Sequence, residues 1–192
     1  LPEALDESAI RVRLGAARQR AFSLLTPLLP STDGLSSVEA LRLLLSTLAD
    51  SEPDAHHILA VAAVPVFAAA IARRRRGEAA VTPDARLGLA ADFLHMLHGA
   101  EVDAGKVRAL DTYLVTVADH GLNASTFTAR VIASTKAGLF SSVIGGLCAL
   151  KGPLHGGAPG PVLDMLDAIG DQSRIRPWLV DALGRGERLM GF

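Results

Sequence analysis

Aromatic side chains are scarce in this 192-residue sequence: one Trp, one Tyr and six Phe amount to 4%, whereas hydrophobic residues of all kinds make up 49%. Ala, Leu and Val therefore carry the apolar mass, a balance that suits closely packed helices and disfavours aromatic-rich sheets, so an all-α fold is expected. Cysteine is nearly absent too. With Cys148 alone, an intramolecular disulfide is excluded, and a reducing, cytoplasmic compartment is expected. No electropositive neighbour surrounds Cys148 in the sequence, which reads as a small buried hydrophobe on a helix and not as a nucleophile. Charge of one sign is lacking as well. Nineteen Lys and Arg against 20 Asp and Glu give a net charge of −1, which leaves no electrostatic footprint for nucleic acid or for an anionic membrane surface. The longest apolar run, residues 58–72, is interrupted by Pro65 and reads as too short to cross a bilayer, hence as a buried and kinked helix; neither a nucleic-acid nor a membrane partner is expected. The opening Leu1-Pro2-Glu3 has neither an initiator Met nor the order of a signal peptide, and reads as an interior point of a longer chain.

What is present is a succession of helices. Residues 7–29 are expected to form an amphipathic helix with Arg11, Arg13, Arg18 and Arg20 toward water and Ile10, Leu14, Ala17 and Leu24 turned inward. Ser36 or Ser37 caps a helix over 38–48, and Pro53-Asp54 opens the next, whose first turn holds His56 and His57. No further ligand stands at metal-binding spacing from that pair, so both are read as ordinary polar residues and no metal is expected. Arg73-Arg74-Arg75-Arg76-Gly77 invites a nucleic-acid reading. It is more simply the last turn of a buried helix, its cations favoured by the dipole and Gly77 available as a left-handed cap. Further helices are expected over 87–97, ending at Gly99 and carrying His95 as a packed lone histidine, and over 102–118.

The stretch from Val117 to Ala158 organises the rest. Asn123 is a good N-cap for a helix that ends near Lys136 to Gly138, and a second apolar helix over 139–150 closes with Lys151 and the stop Gly152-Pro153. His120 stands just before the first helix, and His155 just past the second in a glycine-rich loop. Small residues recur on both helices (Ala124, Ser125, Ala129 and Ala133; Gly138, Ser142, Gly145 and Gly146), which lets backbones approach closely and calls for burial on several sides. Such faces suit contact with a second subunit, and equally the core of a monomer.

At these residues the sequence resembles the citrate synthase family. Asp119-His120-Gly121-Leu122-Asn123-Ala124-Ser125 matches the family's Asp-His-x-x-Asn-x-Ser segment, and Gly152-Pro153-Leu154-His155-Gly156 its Gly-Pro-Leu-His-Gly loop. The pair at this separation is more specific than either half. A weaker likeness covers residues 58–72 and 92–97, and reaches Met190-Gly191-Phe192, which family members follow with Gly-His-Arg. The resemblance implies a multi-helix bundle of the citrate synthase large-domain type over 1–152, with the beginning of the small domain over 153–192. It also implies an acyltransferase that condenses acetyl-CoA with oxaloacetate to citrate and CoA, using no cofactor beyond the CoA thioester that is its substrate. His155 would be the catalytic donor to the thioester oxygen, and His120 would contact the oxaloacetate carboxylate. A homodimer through Ala124 to Leu150 is implied as well.

The sequence departs from the family where Pro159 replaces a common Asn and Gly121 a frequent Glu, which bears on the loop's geometry and substrate preference. The family's aspartate base, its second catalytic histidine and its carboxylate-clamping arginines are expected beyond Phe192, so the chain alone is expected to be inactive. Two alternatives stand beside the citrate reading. One is a 2-methylcitrate synthase or related enzyme with a different acyl-CoA; the other is a non-catalytic helical homologue that only dimerises.

Overall fold

The computed structural model describes residues 6–50, 56–119, 121–152, 155–156, 159–187 and 189. Among them are nine α-helices and no strand: α1 (Glu7–Leu25), α2 (Ser37–Leu45), α3 (His56–Arg75), α4 (Leu89–His98), α5 (Ala104–Thr116), α6 (Ala124–Ser134), α7 (Leu139–Leu150), α8 (Pro159–Ile169) and α9 (Ile175–Gly184). The chain divides into two compact units, Leu1–Leu147 and Cys148–Phe192.

Local chemistry explains most boundaries. Asp6 accepts from the Ser8 amide at the start of α1, Asp103 from Gly105 and Lys106 at the start of α5, and Asn123 from Thr126 at the start of α6. At α2, Ser36 and Glu39 form a reciprocal capping box, satisfying two amides that the helix itself leaves without partners. α1 stops at Leu25, four residues before the expected end, because Pro30 follows and the chain tightens into a 3-10 turn over Leu29–Thr32. Pro159 is the first residue of α8.

In the first unit α3 is the centre, packed by α1, α2 and α4. Its Ile58, Leu59, Ala62, Ala63, Val66, Phe67, Ala69, Ala70 and Ile71 are buried around the helix. Residues 57–75, of mean hydropathy 1.5, are long and apolar enough to cross a membrane, which corrects the expectation that this run is too short. What identifies it as a core helix is the cover that three neighbours supply. Burying a side chain such as Phe67 contributes about 1.5–3 kcal/mol, and small alanines between the large side chains let the neighbours approach.

The expectation for α1 needs correction at two residues. Arg18, expected in water, is 1% exposed, and Leu24, expected inside, is 37% exposed. The buried stripe of α1 is Gly15, Arg18, Ala21 and Leu25. At Gly15 there is no room for a Cβ, because the Ala85 carbonyl lies against the helix. One turn on, the Arg18 guanidinium meets what that segment presents: Nε donates to Asp92 Oδ2 at 2.5 Å, and Nη2 donates to the Leu87 carbonyl at 2.7 Å. The other Asp92 oxygen accepts the Asp84 amide at 2.9 Å. A charge that sequence alone sends to the surface is thus buried because its partner, Asp92, is buried with it on α4.

The four arginines that close α3 are engaged within the chain. Arg74 makes a two-pronged contact with Asp33, Arg76 pairs with Glu78 and donates to the Leu97 carbonyl, Arg73 reaches the Ala79 and Leu97 carbonyls, and Arg75 reaches that of Leu35. Gly77 adopts the left-handed cap (φ +74). The run is a helix terminus tied to its surroundings.

Candidate active site

The two histidines singled out in the sequence belong to different units. His120 lies outside the described residues, and so do Pro153 and Leu154 of the second motif. The residues on either side of His120 are described. Asp119 Oδ1 accepts the Gly121 amide at 2.9 Å, which bends the chain between α5 and α6. Asn123 then accepts from the Thr126 amide (2.9 Å) and the Ser125 hydroxyl (2.7 Å) and so starts α6. The Asn and Ser of the first motif are therefore a helix start.

His155 is half-buried and follows the end of α7 by five residues. The Gly152 carbonyl accepts two consecutive amides, His155 N at 3.0 Å and Gly156 N at 3.1 Å. These two bonds tie the His155 backbone to the chain just past the end of α7. The imidazole of a residue held in that way can donate to an oxygen presented by a bound molecule. That is the chemistry needed where charge develops on a thioester oxygen.

α7, which leads into this loop, has no acidic residue in its own first turn. Asp50, ninety positions earlier, supplies the cap: Oδ1 accepts the Phe140 amide at 2.7 Å, and Oδ2 accepts the Ser141 amide at 3.2 Å and the Ser141 hydroxyl at 2.6 Å. Gly138 has φ +109, and a Cβ there would fall on the Asp50 carboxylate, so the approach requires glycine twice over. Sequence reading missed Asp50, because a carboxylate so distant carries no local signal. The available clue was an apolar helix that begins after Gly138 with no Ser, Thr, Asp or Asn at its cap.

The small residues of α7 face α6 of the same chain. A Cβ on Gly145 would meet the Ile132 Cδ1 atom, and one on Gly146 would lie 3.4 Å from the Ser125 carbonyl and 3.6 Å from Ala129 Cβ. Exposed apolar side chains lie elsewhere, at Tyr113, Val115, Phe127 and Val131 on α5 and α6, two helices with no buried residue among their own. Cys148, expected to be buried, is exposed.

Among the described residues no group of three His, Cys, Asp or Glu side chains lies close enough to hold a metal ion. Two cavities, of about 730 Å³ beside Arg176, Pro177 and Arg185, and about 280 Å³ beside Asp33, Ile71 and Arg74, do not include His155.

A family model described as the C-terminal domain of citrate synthase matches residues 1–192. A 2-methylcitrate synthase of Mycobacterium tuberculosis is 36% identical over 200 residues, covering 100% of this chain and 51% of the relative. A citrate synthase of Haloferax volcanii is 48% identical over 133 residues, covering 68% of this chain and 35% of the relative. In three dimensions the chain is similar to a citrate synthase from Thermotoga maritima, with a TM-score of 0.76, 29% identity, and coverage of 100% of this chain and 52% of that one. The chain thus spans about half the length of the full-coverage relatives.

Proposed function

The chain belongs to the citrate synthase family, and from that premise we propose that it supplies two substrate-facing histidines of an enzyme that condenses acetyl-CoA with oxaloacetate. In that reaction a base takes a proton from the thioester methyl group, and the resulting carbon forms a bond to the ketone carbon of oxaloacetate. The ketone oxygen takes up a proton, and water then cleaves the thioester to release citrate and CoA. His155 donates to the thioester oxygen as it becomes enolate-like, and His120 holds a carboxylate of oxaloacetate. The observation that carries this reading is the Gly152 carbonyl's grip on the His155 and Gly156 amides, which fixes the histidine at the mouth of a helix end. Condensation as proposed also needs a base for the methyl proton, a donor to the ketone oxygen and groups that hold the second carboxylate of oxaloacetate.

A second reading is 2-methylcitrate formation from propionyl-CoA, the mycobacterial relative named for that product being similar over the whole of this chain. Association as a homodimer is part of the proposal. What supports it is the set of exposed apolar side chains on two helices, Tyr113 and Val115 on α5 and Phe127 and Val131, one turn apart, on α6.

The test is steady-state kinetics on the full-length gene product, following thiol release with acetyl-CoA and with propionyl-CoA. His155→Ala is expected to lower kcat by roughly 100-fold to 1000-fold with a smaller effect on affinity, as for loss of one transition-state donor. His120→Ala is expected chiefly to raise KM for oxaloacetate, because it removes binding common to ground and transition states. Near-normal turnover in the His155 variant would overturn the assignment, and the ratio of kcat/KM for the two thioesters selects between the readings.

A further inference from the structure

Resting on the reading that His155 acts at the thioester, we propose that Gly156 is the positioning residue for that histidine, through the space its missing side chain leaves. A Cβ built on Gly156 would fall on the Leu150 carbonyl oxygen, with the Leu150 carbonyl carbon at 2.8 Å and Cγ at 2.9 Å. The Leu150 carbonyl is main chain in the last turn of α7 and has no rotamer to change. A side chain at 156 therefore moves residues 155 and 156 and not their neighbour. Those two residues are the ones whose amides share the Gly152 carbonyl, at 3.0 and 3.1 Å. Displacing either loosens the hold on the His155 backbone. Gly156 does not have a positive φ, so the requirement is for room and not for torsion. Asparagine, which tolerates left-handed backbone, is no substitute.

The nearby glycines form a graded series. On Gly152 a Cβ would sit 3.3 Å from the Ala149 carbonyl, a contact relieved by a few tenths of an ångström, and on Gly160 it would meet nothing within 4 Å. Identical chemical changes within nine residues thus differ in how far they push the histidine.

The experiment compares Gly156→Ala, Gly152→Ala and Gly160→Ala. On the 192-residue chain, carbon–proton correlation spectra of the histidine rings are recorded, with His57 and His98 as internal references. On the full-length gene product, kcat and KM are measured. Gly156→Ala is expected to shift the His155 ring resonances alone and to lower kcat by roughly 10-fold to 100-fold, with KM for oxaloacetate within about 3-fold, since misplacing a reacting group by about 1 Å can cost on the order of 100-fold. Gly152→Ala is expected to do the same more weakly, and Gly160→Ala to do neither. Unshifted His155 resonances with normal kcat in Gly156→Ala would overturn the proposal, as would effects equal to those of Gly160→Ala. If circular dichroism shows Gly156→Ala unfolded, Gly152→Ala decides in its place, and an unmoved His155 with unchanged kcat there counts against the proposal. A wild-type protein that turns over neither thioester would remove the condensing reading, while the ring shifts would still decide whether Gly156 positions His155.

Discussion

Replacing Asp92 by alanine isolates the charge pair buried between α1 and α4. Arg18 and Asp92 have side-chain exposures of 1% and 0%, so solvent does little to soften the loss of either. In Asp92→Ala the guanidinium keeps its bond to the Leu87 carbonyl at 2.7 Å and loses its counter-charge, and the Asp84 amide loses the oxygen that accepted it at 2.9 Å. Breaking a buried pair from one side costs about 3–5 kcal/mol, because it strands a charge where water cannot reach it. For a chain of this size that corresponds to a fall in Tm on the order of 10 °C. Arg18→Met combined with Asp92→Leu removes both charges. It leaves the Leu87 and Asp84 carbonyls and the Asp84 amide without these partners, and is expected to cost roughly 1–3 kcal/mol, less than the single change. Urea unfolding of wild type, Arg18→Met, Asp92→Leu and the double variant gives the coupling energy, with Asp92→Ala measured beside them. A cost below about 1 kcal/mol for Asp92→Ala, or a double variant less stable than Asp92→Ala, would refute the claim that stranded charge sets the penalty.

Asp50→Ala removes the distant cap of α7 and is expected to destabilise the chain by about 1–3 kcal/mol, with faster hydrogen exchange at Phe140 and Ser141 and none of that at Thr126, whose cap is Asn123. Hydrogen exchange followed by NMR checks it. Acid is expected to weaken the fold. Asp33 is held below the usual carboxylate range by its bonds to Arg74, and Glu78 by its bonds to Arg76. Their contribution is present above the unfolded-state pKa values and is lost as pH falls through the lower folded-state values, so melting temperature should be flat between about pH 5 and 8 and decline below about pH 4. Asp33→Asn combined with Glu78→Gln should flatten that decline. Phe127→Glu with Val131→Glu, both exposed on α6, is expected to turn a dimer into monomer at micromolar concentration without changing the circular dichroism spectrum. Light scattering on both proteins decides, and a wild-type protein already monomeric would count against the proposed interface.

Much of the molecule followed from sequence because its causes are local. Pro65 apart, the apolar run of α3, the Asn123 cap, the stop at Gly152 and the left-handed Gly77 and Gly99 act over a few turns of helix, so neighbouring residues suffice to place them. The paired motifs likewise identified the family without coordinates, because residue type and spacing carry that information. What tertiary structure alone decided was where distant groups meet. Arg18 is buried because Asp92, 74 positions away, arrives beside it, and α7 is capped by Asp50 from 90 positions away. Sequence placed small residues on α6 and α7 but could not tell that Gly145 and Gly146 face the same chain's α6, leaving Phe127 and Val131 outside. Helix periodicity fixes which residues share a face. It leaves open what covers that face, because the free energy of burial depends on the partner brought to it, and the partner comes from the fold of the whole chain.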